Sequence, residues 1–265
     1  MTPLTQIVIA SLVGGVLATI AAAATLALHA SWISRLVSFA VGALLGAVFL
    51  ELLPHALSEG GAERVMGTVL VGLLGFFLLE KLVLWRHAHG HAEHDDNAEE
   101  TEHDHALHAH GGPADGGRSG LMILIGTSVH NFCDGVVIAA SFLADPALGV
   151  AATVAIVAHA VPQQVGDFAV LLHSGFARSR AFAYNVAVGA ATLVGALAGY
   201  FALADMQQIL PTVLAIAAAS LLYVAVADLI PSLHRRPEPL ETVKQLTLIG
   251  LGIAVIGAAH LVLQH

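Results

Sequence analysis

The 265-residue chain is 57% hydrophobic and 11% charged, with a mean hydropathy of +0.81. Soluble domains carry about 25% charged residues, so a soluble globular protein is excluded and an integral membrane protein is expected. The net charge of −9 resides largely in one segment, since residues 86–118 hold eight acids and two arginines, and it gives no basis for nucleic-acid binding.

Eight apolar stretches are each long enough to cross the roughly 30 Å of hydrocarbon as a helix. They cover about 5–28, 35–57, 64–85, 120–144, 147–173, 180–202, 208–230 and 243–264. The predicted fold is an all-α polytopic bundle, a single membrane domain over 1–265 arranged as 3+2+3 spans. No basic residue precedes Arg35, so the first stretch reads as a retained span and not as a signal peptide. Cys133 is the single cysteine, which excludes an intramolecular disulfide and a cysteine zinc cluster.

The connection 86–119 holds His87, His89, His91, His94, His103, His105, His108 and His110 among acids and glycines, without apolar periodicity. It is expected to be disordered, acting as a solvated linker or a flexible, weak metal-binding segment. Nine of the ten Lys and Arg residues fall on the side of this loop, and Arg64 alone falls on the other. That side is predicted to be cytoplasmic in a cell (inner) membrane, with both termini extracytoplasmic. The pairs Gly42/Gly46 and Gly195/Gly199 suit close helix packing, or a homodimer face.

Span 4 carries His130-Asn131-Phe132-Cys133-Asp134-Gly135, with His130 and Asp134 one helical turn apart on one face. Span 5 carries His159, Gln163, Gln164 and Asp167 around Pro162, which removes a helical hydrogen bond and is expected to bend or open the helix. The two spans are joined by a tight turn at Asp145-Pro146. Counted from that turn, His130 and Asp134 reach about the depth of His159 and Gln163, so an antiparallel hairpin gathers them. Polar groups at mid-membrane depth are costly and face a partner or a path. Imidazole, carboxylate and amide oxygen together suit a divalent metal ion. The bland alternative is a structural polar core.

Span 2 ends Glu51-Leu52-Leu53-Pro54-His55 and span 7 ends Asp228-Leu229-Ile230-Pro231. The shared acid-x-x-Pro pattern, in spans of opposite direction, predicts an inverted repeat relating spans 1–3 to spans 6–8. Glu51, His55 and Asp228 are candidate mouth residues, and the alternative is interfacial carboxylates beside helix-ending prolines. Asp167 is a candidate next station for the ion, with Asn185 and Ser220 weaker candidates. His173, His234, His260 and His265 read as interfacial or terminal.

With these residues in hand, the chain resembles the ZIP family of zinc and iron transporters. It is most similar to the branch in which span 4 reads H-N-F-x-D-G and span 5 reads H-E-x-P-H-E-x-G-D. Span 4 matches throughout, and span 5 matches at His159, Pro162, Gly166 and Asp167. The resemblance implies a two-metal centre, with His130, Asp134, His159 and Gln163 on the main ion. Asn131, Asp134 and position 160 would frame the second. It also implies that spans 1, 4, 5 and 6 carry the ion against a scaffold of the other four, giving elevator-like alternating access. This chain departs from the pattern at Ala160, Gln163 and Gln164, which stand where the pattern has Glu, His and Glu. A ligand is thus lost at Ala160, and Asp134 is left as the obvious carboxylate.

The function expected is uptake of Zn2+, or of Cd2+, Fe2+ or Mn2+, toward the cytoplasm, without an organic cofactor. The alternatives are a metal exporter or nickel/cobalt-type permease, a non-transporting metal sensor and an intramembrane metalloenzyme. Neither H-E-x-x-H nor G-x-S-x-G occurs, which argues against the enzyme.

Overall fold

A computed structural model describes residues 1–25, 30–89, 118–234 and 238–263. All regular structure among them is helical, in eight long paths. Helix α1 is Pro3–Thr25. Helix α2 runs through Ala30–Gly46, a π-helical segment Ala47–Leu52 and Leu53–Gly60. Helices α3 (Ala62–His89), α4 (Arg118–Ala144), α5 (Pro146–His173) and α6 (Arg178–Leu203) follow. Helix α7 joins Leu210–Tyr223, a π-helical Val224–Leu229 and Ile230–Leu233, and α8 is Pro239–Leu263. Among the described residues, seven of these paths are long and apolar enough to cross a membrane, and α4 is the remaining long helix. The fold is thus an all-α polytopic membrane bundle.

The helices extend into both ends of the predicted loop 86–119, since α3 continues to His89 and α4 begins at Arg118. The loop histidines His91, His94, His103, His105, His108 and His110 lie outside the described residues, as does His265.

Local chemistry sets the turns. Only Asp145 separates α4 from α5, and its Oδ1 accepts hydrogen bonds from the backbone N–H groups of Ala147 (2.7 Å) and Leu148 (3.1 Å). Pro146 takes the first helical position, where its missing N–H costs nothing. Helix α5 ends at Gly175, whose φ of 86° suits glycine. Gly175 N–H donates to Leu172 O and Phe176 N–H to Leu171 O, a Schellman ending. Helix α5 remains helical through Pro162, so the expected break does not occur.

Both π-helical segments lie just ahead of a proline, at Pro54 and Pro231, and each has its acid, Glu51 or Asp228, as the fifth residue. Proline lacks an N–H and its ring presses on the carbonyl one turn earlier. Widening that turn to i→i+5 bonding relieves the conflict.

The helices pack in two sets. Helices α1, α4, α5 and α6 contact one another, with α4 against α6 the most extensive pairing. Helix α2 packs on α8, and α3 on α7, while α5 touches α2 and α8, and α4 touches α7, across the sets. Lipid offers no hydrophobic drive between helices, so close backbone approach matters. A Cβ on Gly195 would lie 1.9 Å from Phe132 O, and one on Gly135 would lie 2.0 Å from Thr192 O. At the α2–α8 crossing, a Cβ on Gly42 would lie 2.0 Å from Ile249 O. Gly42 and Gly195, expected for packing or a dimer face, are thus used inside the protomer.

Candidate metal centre

The α4–α5 hairpin folds so that three side chains converge. His159 Nε2 lies 3.3 Å from Asp134 Oδ2 and 3.3 Å from His130 Nε2, and His130 Nε2 lies 3.6 Å from Asp134 Oδ2. Helical spacing puts His130 and Asp134 on one face, and the single-residue link sets the facing helix in register. His159 and Asp134 are 1% and 2% exposed, whereas His130 is partly open.

The hydrogen bonding of His159 is compatible with a ligand role. His159 Nδ1 is 3.1 Å from Ala155 O, and a carbonyl can only accept, so Nδ1 carries the proton. In its neutral form the ring then presents an unprotonated Nε2 toward Asp134 and His130. A ligand histidine held through its other ring nitrogen is the usual second-layer support of a metal site. Two ligand atoms about 2.0–2.2 Å from one zinc ion, at the tetrahedral angle, lie about 3.3–3.6 Å apart. The three separations match one face of such a tetrahedron.

The other expected site residues take different places. Gln163 is half-buried one turn beyond His159. Asn131 Nδ2 donates to Val188 O on α6 at 3.1 Å. Asn131, Ala160 and Gln164 line a cavity beside Asp134, together with Ser11, Ala18 and Thr192. Asn185 Nδ2 donates to Gln164 O at 3.2 Å, tying α6 to α5. Asp167 is buried and hydrogen-bonded to Thr127 on α4, forming a further polar rung of the hairpin. Sequence reasoning missed Thr127, although it sits three residues before His130, the spacing that shares a helix face.

The mirrored acids sit differently. Glu51 is 5% exposed in a π-helical segment that packs against α5, α7 and α8. Asp228 is exposed and within electrostatic reach of His159 and Glu80. Tyr223 OH donates to Glu80 Oε2, linking α7 to α3, a pair that no sequence motif had marked. His55 is half-buried near the end of α2, and Ser220 is buried on α7.

Fold and side-chain triangle together define a polytopic membrane protein whose α4–α5 hairpin could hold a divalent metal ion. The family model described as ZIP Zinc transporter matches residues 4–259. The Zinc transporter ZIP13 of Homo sapiens is 32% identical over 262 residues, covering 84% of this chain and 70% of that protein. The Zinc transporter ZIP13 of Pongo abelii is 32% identical over 242 residues, covering 84% of this chain and 66% of that protein. The Zinc transporter ZIP13 homolog of Drosophila melanogaster is 29% identical over 281 residues, covering 87% and 78%. The chain belongs to the ZIP zinc transporter family, whose members are transporters and not enzymes. It spans about two thirds of the length of the curated relatives it matches.

Proposed function

We propose that this protein carries zinc, and less selectively Cd2+, Fe2+ or Mn2+, across the membrane toward the cytoplasm. The carrying observation is the triangle of His130, Asp134 and His159, whose donor atoms lie 3.3–3.6 Å apart, with His159 anchored through Nδ1 to Ala155 O. Imidazole and carboxylate admit zinc readily and its first-row neighbours with modest discrimination. Gln163 is the candidate fourth ligand. It offers an oxygen without charge, which keeps the ion loosely enough held to leave. Asp167 lies next along the hairpin. Glu51 with His55 at one end and Asp228 at the other are the proposed mouths, and the His-rich segment gathers metal at the cytoplasmic side.

The alternating-access motion proposed is a displacement of α1, α4, α5 and α6 against α2, α3, α7 and α8. The packing of the helices in these two sets supports it. The twin π-helical segments with their acids support an inverted repeat of α1–α3 and α6–α8. The second set would also carry any homodimer face.

Proteoliposomes with zinc supplied on one side only test the reading. Uptake should vanish in His130→Ala, Asp134→Ala and His159→Ala. Uptake that persists in all three would refute it, and flux in the opposite sense would mark an exporter.

A further inference from the structure

Beside the triangle, α1, α4, α5 and α6 enclose a cavity lined by Ser11, Asn131, Asp134, Ala160, Gln164 and Thr192, among apolar and glycine neighbours. Asp134 is the only ionisable side chain in that lining. The space is about that of a single water molecule. Ser11 and Gln164 are each 2% exposed, and Ser11 Oγ and Gln164 Oε1 have no partner among the described residues. Two buried, unpartnered polar atoms thus belong to residues that line one small cavity with the back of the metal carboxylate.

Building on the metal centre proposed above, we infer that it binds a single dication, and that the cavity behind Asp134 takes an ordered water in place of a second ion. Ala160 and Gln164 are the residues that make the difference. Room does not decide the matter, because a bare first-row dication is smaller than a water molecule. Charge does. A buried dication needs compensating negative charge, and the only carboxylate in reach already serves the triangle. Ala160 contributes a methyl group to the wall, and Gln164 a neutral amide. Water suits this lining well. It can donate to Gln164 Oε1 and exchange a hydrogen bond with Ser11 Oγ, meeting two demands that the described protein groups leave open. Ser11 and Gln164 then act as positioning residues, holding the wall behind Asp134 through that water.

The test counts Cd2+ bound per full-length chain in detergent by equilibrium dialysis, with each variant compared with wild type so that binding by the His-rich segment cancels. The double variant Asp134→Ala/His159→Ala should bind one ion fewer. Gln164→Glu, which changes an amide to a carboxylate at constant size, should bind one ion more, and Ala160→Glu likewise. Monodisperse elution establishes that each variant is folded, and Gln164→Glu serves if Ala160→Glu misfolds. A double variant that loses two ions would overturn the inference while leaving the metal centre intact. Gln164→Glu matching wild type would overturn the role given to the neutral lining. A double variant that loses none would remove the metal centre itself, and this inference with it.

Discussion

At the scale of single residues, Asp134 carries the negative charge of the triangle and both histidines converge on it. Loss of an outer partner of a metal ligand already costs about 10–100-fold in affinity. Asp134→Asn should therefore weaken Zn2+ binding by at least about 100-fold, as read by competition with a zinc indicator. Gln163 is half-buried and lies one turn from His159. Exchanging its amide for imidazole should tighten binding and slow turnover. Gln163→His is thus expected to lower the apparent Km for uptake together with the maximal rate. A variant with an unchanged Km would place Gln163 outside the coordination sphere. Asn131 also ties two helices together. Its amide holds Val188 O of α6, and hydrogen bonds between membrane helices contribute about 0.6–2 kcal/mol. Asn131→Ala should lower thermal stability in detergent by that amount.

At the scale of helices, the glycines fall into two classes that sequence alone does not separate. Gly195 and Gly135 sit where α4 and α6 meet backbone to backbone, so Gly195→Val should cost about 3 kcal/mol or more and greatly reduce folded protein by size exclusion. Gly166 belongs to the matching motif of α5, yet a Cβ there meets nothing within 4 Å. Gly166→Ala should therefore fold at the wild-type level. Much of this scale was legible in the chain. The hydrophobic runs placed the helices, and counting from Asp145 matched the depth of His130 with that of His159. The π-helical segments were not legible, because acid-x-x-Pro says only that proline conflicts with the preceding turn, not how the turn yields. Pro162 shows the same limit, since the opening it could have caused does not occur and α5 stays helical through it. The cavity was hidden for another reason. Ser11 lies in an apolar span more than a hundred residues from Asn131, Asp134 and Gln164, and only tertiary packing brings it beside them.

At the scale of the molecule, Asp145 stands alone between the two helices that hold His130 and His159, clamped by its own side chain to the start of α5. A joint so short holds the two helices in register, so that His130 and His159 stay at one depth. In the transport cycle proposed above, the cage around a captured ion would then be closer to a cup that is lifted whole than to jaws that open. On that proposal, what frees the ion would come from the surroundings that the cup reaches at each end of its travel: water, a new carboxylate such as Asp228, or a competing proton.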